Sequence, residues 1–334
     1  MAAEIVTLTL NPALDVSTAT PRITPAHKLR CAPPRLDPGG GGINVARVIQ
    51  RLGGRSLAVY PAGGPTGQRL TTLLEAEGAR ALATAIAGET RESFTVIDQS
   101  DNAEYRFVLP GPVLSDAEQD LCFEAALAAG TGSSFLVVSG SLPSGMEPKR
   151  LRDLARLAKA RDLRLVVDSS GPALAAALEA GVHLVKPNLR ELSDLVGRSL
   201  STTAERLAAC RDLIDGGGAV VIALSLGAEG ALLATRDVAW ISPGLTIEPV
   251  STVGAGDSFL AALLWVLARE GGLAEGLRHA IAAGSAALLS PGTDLCLRDD
   301  VLRLVDRVEV FAIDETSCGE GRPGDPAPME TRSP

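Results

Sequence analysis

The run Ser251-Thr252-Val253-Gly254-Ala255-Gly256-Asp257-Ser258 places an anion site and a base side by side. Pro243, Gly244 and Pro249 precede it as turn residues, and Phe259 to Leu267 behind it is almost wholly apolar, as a buried helix requires. A glycine loop that feeds a helix N-terminus turns unpaired backbone N–H groups and the positive end of the helix dipole toward an anion. Glycines at 254 and 256 let a ligand approach the backbone closely. Asp257 sets one carboxylate beside the hole, where it can take a proton from an attacking hydroxyl. The same spacing also suits a tight turn with Asp257 as an ordinary N-cap.

Further stretches carry polar residues where ligands dock. Ile5 to Leu10 reads as a buried strand that delivers Asn11 and Asp15 to the loop at its end, the side of an open α/β sheet on which ligands bind. Asp15 there suits a sugar hydroxyl or a turn cap. Pro38-Gly39-Gly40-Gly41-Gly42-Ile43-Asn44 opens a helix that Gly53-Gly54 stops, and its four glycines imply close backbone approach to a ligand. G-x-G-x-x-G spacing fails, and no tight strand-to-glycine turn is expected ahead of it, which argues against a dinucleotide. Asn44, with amide donors and an acceptor, suits a sugar hydroxyl better than a pyrophosphate. Asn188 and Glu191, three apart after Lys186-Pro187, have capping-box spacing. Lys28 and Arg30 lie in a segment, 28 to 37, that reads as extended and exposed. Arg91 stands at the root of a hairpin, where it can clamp a phosphate or be solvated.

The elements that must position these residues follow a βα rhythm. Strands are expected at Ser56 to Tyr60, Phe135 to Val138, Leu165 to Val167 and Val220 to Leu224, with helices between several of them, such as Ser115 to Ala129 and Pro148 to Lys159. Phe94 to Asp98 and Glu104 to Leu109 alternate apolar and polar residues around a turn, as a half-exposed antiparallel hairpin does. The pattern predicts an α/β fold with one doubly wound, mostly parallel sheet in an α/β/α sandwich. A single domain over 1–312 with a small inserted β lid is expected, its segments near 16–36 and 90–110, and a disordered tail over 313–334. A net charge of −9 supplies no basic field for nucleic acid or an anionic membrane. Five scattered cysteines and three histidines form no zinc spacing, and no apolar run is long enough to span a bilayer, so a cytoplasmic protein is expected.

Five segments in fixed order resemble the PfkB (ribokinase-like) sugar kinases: Asn11 to Asp15, Pro38 to Ala46, Lys186 to Asn188 with Glu191, Ser225-Leu226-Gly227, and Gly254 to Asp257. The match runs from about residue 4 to 310. Lys28-Leu29-Arg30-Cys31 and glycine rather than lysine at 41 make the chain most similar to the minor 6-phosphofructokinase branch; 1-phosphofructokinases and tagatose-6-phosphate kinases stay open as alternatives, as does a non-catalytic sugar-phosphate sensor. The resemblance implies transfer of the ATP γ-phosphoryl group to the C1 hydroxyl of fructose 6-phosphate. Asp257 is then the general base, and the N–H groups of Gly254, Ala255, Gly256 and Asp257 form the anion hole. Asp15, Gly39, Gly40 and Asn44 would hold sugar hydroxyls, and Arg91 with Ser139, Lys28 and Arg30 the 6-phosphate. Lys186, Asn188, the loop Ser225, Leu226, Gly227, Ala228, Glu229 and Gly230, and Ser251 and Ser285 would line the nucleotide. Glu191 would order the waters of Mg²⁺. Ser251, Val253, Ala287, Ser290, Gly292 and Asp294 stand where relatives carry K⁺, many of them with Asp in place of Ser251. A lid that excludes water is needed to prevent ATP hydrolysis. An apolar hairpin face would pair with a second copy, so a homodimer through the lids is expected.

Overall fold

The computed structural model describes residues 4–290 and 294–313. Gly292 and all but the first position of the expected tail lie outside them. Strands β1 (Ile5–Leu8), β2 (Ala13–Thr20) and β3 (Arg35–Gly39) precede helix α1 (Gly41–Arg51). Next come β4 (Ser56–Ala62), α2 (Gly64–Ala76), β5 (Ala81–Ala85), β6 (Arg91–Asp98), β7 (Glu104–Val108), α3 (Asp116–Gly130) and β8 (Phe135–Ser139). They are followed by α4 (Lys149–Lys159), β9 (Leu165–Asp168), α5 (Gly171–Ala180), β10 (Val182–Val185), α6 (Leu189–Val196), α7 (Thr203–Asp215) and β11 (Ala219–Ser225). The last are β12 (Ala231–Ala234), β13 (Ala239–Ser242), α8 (Ala255–Leu267), α9 (Leu273–Ala287), α10 (Arg298–Val305) and β14 (Phe311–Ala312).

The large sheet runs β14-β13-β12-β11-β10-β9-β8-β1-β4-β5, parallel from β5 to β11 and antiparallel beyond. Its central strands are buried on both faces because successive side chains alternate between two cores. Ile5, Val137 and Leu184 pack with α1, α8 and α9, while Val6, Leu8, Leu136 and Val138 pack with α3, α4 and α5. Helix α8 lies almost wholly inside, with Phe259, Leu260, Leu263 and Leu264 buried. Each such side chain contributes about 1.5–3 kcal/mol. That exceeds the roughly 1 kcal/mol by which one glycine weakens a helix, so burial holds α8 in place despite its glycine start. From β1 the chain order proceeds to β4 on one side and to β8 on the other, and a ligand crevice is expected at the carboxyl ends of these two strands. Asn11 bridges the point, its Nδ2 donating to Ser141 Oγ at 3.1 Å.

A second sheet, β3-β2-β6-β7, corrects two expectations. Asp15 lies within β2, not in a loop after β1. Strand β3 leads straight into the glycine run, although no such strand was expected there and 28 to 37 reads as simply extended. Registers place Asp15 beside Asp37 and Ser93, and Ser17 beside Arg35 and Thr95, with Arg106 opposite Thr95. Paired residues share a face. One face therefore carries Asp15, Arg35, Asp37, Arg91 and Arg106, and the other Val16, Leu36, Phe94, Val96, Tyr105 and Phe107. The alternation in the hairpin was legible; its parallel union with β2 was not, because β2 and β6 are about seventy residues apart in sequence.

Candidate active site

Three strand ends and two helix starts converge at the crevice. Gly254 caps α8 with φ +75°, a left-handed backbone that favours glycine, and a Cβ there would lie 2.6 Å from Leu295 Cδ2. A Cβ at Gly256 would meet only Lys186 Nζ, at 3.5 Å, so this part of the helix start opens directly onto an ammonium. Lys186 is buried and pairs with Asp168 Oδ1 at 3.1 Å. Burial works against its charge, but Asp168, with Asp257 and Glu191 behind it, outweighs that and raises the lysine's pKa. Ser139 Oγ reaches the other oxygen of Asp168 at 3.4 Å.

Asp257, in the first turn of α8, accepts from Asn44 Nδ2 at 2.8 Å, which joins the two glycine-led helices across 213 residues. Desolvation and then the charge of Asp168 push its pKa up to about 6; Asn44 and Lys186 pull the other way. Asp15 is also raised to about 6, by burial first, with Arg91 and Arg106 opposing. Arg91 is oriented by main-chain oxygens, Nη2 to Asn11 at 3.1 Å and Nη1 to Leu109 at 3.3 Å, and burial lowers its pKa. It is therefore not simply a solvated arginine. Lys28 and Arg30 are exposed on the connection between β2 and β3, and among the described residues no side-chain hydrogen bond or ion pair joins them to this cluster.

The glycines at the start of α1 are closely packed. A Cβ on Gly39 would sit 2.1 Å from Asp15 Oδ2, on Gly41 2.3 Å from Ser139 Oγ, and on Gly42 2.6 Å from Thr9 Oγ1; Gly40 has φ +117°. Protein atoms, rather than open space, press on this run.

Beside α8 a cavity of about 530 Å³ is lined by Asn188, Ser225 and Gly256 together with the apolar side chains of Leu245, Ile247, Phe259, Ile281 and Leu288. Its size suits a small-molecule ligand. Gly227, Ala228, Gly230 and Ser285 also line it. Leu226 instead packs in the core, and Glu229 pairs with Arg206 at 2.8 Å, so these two side chains face away from the cavity. Asn188 and Glu191 form the capping box their spacing predicts, at 2.9 Å in both directions, and Glu191 also borders a polar cavity with Ser170, Arg190 and Asp194. Ser251 and Val253 lie on a loop tied to the 287–290 turn, where Val250 N donates to Leu288 O at 2.7 Å. Ser290 Oγ donates to Leu295 O at 3.4 Å. Asp294 commits both carboxylate oxygens to Arg35.

Sequence reasoning missed Asp168, Arg106 and the apolar cavity wall. Asp168 ends a buried strand in Asp-Ser-Ser-Gly, a signal of the same kind that singled out Asp15. Arg106 follows from hairpin alternation once the inward face is known.

Residues 9–300 match the pfkB family carbohydrate kinase profile. The chain is 45% identical over 316 residues to ATP-dependent 6-phosphofructokinase isozyme 2 of Mycobacterium tuberculosis, covering 95% of this chain and 92% of that one. It is 43% identical over 302 residues to the isozyme 2 of Escherichia coli, covering 90% and 97%. A crystal structure of phosphofructokinase-2 from Escherichia coli in complex with potassium superposes with a TM-score of 0.88 at 42% identity, covering 92% of this chain and 99% of that one. Fold, motifs and relatives agree, and the chain belongs to the pfkB family of carbohydrate kinases.

Proposed function

We propose that this chain transfers the γ-phosphoryl group of ATP to the C1 hydroxyl of fructose 6-phosphate, giving fructose 1,6-bisphosphate and ADP. One observation carries the reading. A carboxylate with pKa about 6, Asp257, stands at a glycine-opened helix start between a cavity of nucleotide size and a polar sheet face that carries three arginines. A base tuned near neutrality is ionised at pH 7 yet still accepts a proton effectively. Asp257 takes the hydroxyl proton while Gly254, Ala255 and Gly256 direct N–H groups at the transferring phosphoryl oxygens. Lys186, held protonated by Asp168, adds a positive charge at the same end.

Asp15 and Asn44 orient sugar hydroxyls, with Gly39 and Gly40 allowing the chain to pass close by. Arg91, Arg106 and Ser139 face the 6-phosphate, and Lys28 and Arg30 reach it only if their connection folds inward. Asn188, Ser225, Gly227, Ala228, Gly230 and Ser285 line the nucleotide, beside Ser251.

Among the described residues no three acidic, histidine or cysteine side chains group closely enough to hold a metal by themselves, so an Mg²⁺ would be bound chiefly through the nucleotide phosphates and retained waters, with Glu191, beside Asn188 on the polar cavity, ordering those waters. When bound, such an ion would neutralise phosphate charge. Ser251, Val253, Ala287 and Ser290 lie where two loops meet and fit a monovalent cation held by oxygens; with its carboxylate taken by Arg35, Asp294 has its main-chain oxygen to offer there. The small sheet serves as the lid of a single kinase domain. Its apolar face, with Tyr105 and Phe107 40% and 53% exposed, pairs two copies into a homodimer. The proposed reaction belongs in the cytoplasm, where ATP is supplied.

ADP release measured across fructose 6-phosphate, fructose 1-phosphate, tagatose 6-phosphate and fructose tests the substrate. The highest kcat/KM is expected for fructose 6-phosphate, and a higher value for any of the others overturns the assignment.

A further inference from the structure

Arg35 stands on edge strand β3, in register with Ser17 and two residues before Asp37, which pairs with Asp15. Its guanidinium is bidentate to Asp294, 259 residues away, and its Nε and Nη2 reach Asp37 Oδ1 at 3.1 and 2.9 Å. Asp294 opens the segment whose Leu295 packs against Gly254, the residue that starts α8. Arg51 of α1 holds the same segment, donating to Leu295 O at 2.9 Å. One planar cation thus joins the strand beside Asp15 to the segment behind the anion hole. On the opposite edge strand, β7, Glu104 Oε2 accepts from Ser251 Oγ at 3.4 Å, so both edges of the small sheet touch segments that flank the start of α8.

A pair with Arg35 48% and Asp294 26% exposed adds little to stability, yet a bidentate fork fixes direction as a single-point contact does not. We infer that Arg35 and Asp294 form a positioning clasp that holds the sugar-side sheet in register with the anion hole. Neither touches the reacting atoms. The inference rests on the kinase reading above and assigns this pair the alignment of its two halves. Loss of the clasp leaves each half intact and misplaces one against the other, which impairs transfer to the sugar more than nucleotide binding.

Steady-state kinetics of Arg35→Ala, Asp294→Ala and the double variant, with amide hydrogen exchange of the free proteins, tests this. Each single variant is expected to lower kcat/KM for fructose 6-phosphate about tenfold, with KM for ATP changed by less than about twofold, and the double variant to be no worse than either single one. Arg35→Lys, which keeps charge without the fork, should recover only part of the loss. Exchange should quicken in residues 35–39 and 253–256 of both single variants and stay unchanged in β1 and β8. Losses that multiply in the double variant, or unchanged exchange in both segments, overturn the clasp. Absence of turnover in the unmodified protein would count against the kinase reading alone, and exchange would still decide the clasp.

Discussion

Two glycine runs open helices in this chain, and they do different physical work. At α8, Gly256 faces open space apart from Lys186 Nζ, and the helix behind it is buried almost all round. The backbone there is left bare toward the cavity and firmly anchored from behind. At α1, the Cβ positions of Gly39, Gly41 and Gly42 are occupied by Asp15, Ser139 and Thr9, so those glycines let three parts of the protein approach one another. One run leaves helix backbone bare at Gly256, and the other is closely packed by neighbouring side chains. The single hydrogen bond from Asn44 to Asp257 links them. Similar punctuation in sequence thus leaves backbone open in one place and packs it closely in the other.

The largest effect should come from removing the base at the open run. Asp257→Asn is expected to lower kcat by roughly 10²- to 10⁴-fold while calorimetric ATP affinity stays nearly unchanged; near-normal turnover would strip Asp257 of that role. A matched glycine pair then tests the contrast itself. Gly256→Ala should fold normally and lose about 10- to 100-fold in kcat/KM for ATP, since its methyl enters the phosphate end of the cavity. Gly42→Ala forces a methyl to within 2.9 Å of Leu8 O, and should cost about 1–3 kcal/mol of stability in denaturant unfolding. If the two variants exchanged signatures, the distinction between hole and packing would fail.

The link between the runs is open to a pH test. Asn44 stabilises the ionised form of Asp257, so Asn44→Ala should move the acid limb of kcat/KM upward from about 6, by about one unit. An unmoved limb would mean that the hydrogen bond does not tune the base. The smallest effect concerns stability. Asp15 and Asp257 have folded pKa values of about 6, above the 3.8 of an ordinary aspartate, so the folded chain binds more protons than the unfolded one in the window between. Their contribution to stability is fully present below that window and is lost as pH rises through 6. Unfolding midpoints of Asp15→Asn should therefore depend less on pH in this window than those of the unmodified chain.

Much of the large sheet was legible because its central strands are continuous apolar runs and three of its helices, α3, α6 and α7, carry capping boxes. The Asn188–Glu191 box formed as its spacing demands, and so did the hairpin after Arg91. Strand β2 was not legible. Asp15, Ser17 and the residues around them are half-buried, with one face turned to a polar cleft, so no apolar run announced them.

The amino-acid sequence by itself determined the glycine-led start of α8, since glycines at 254 and 256, an apolar helix behind them and Asp257 are consecutive and need only local geometry. Tertiary structure alone decided the partners: Asp168 for Lys186, Asn44 for Asp257, Arg35 for Asp294, and Arg106 on the inward face. Those residues are brought together by parallel crossovers and by the union of β2 with β6. Pairings at such separations depend on how whole layers pack, which spacing along the chain does not encode.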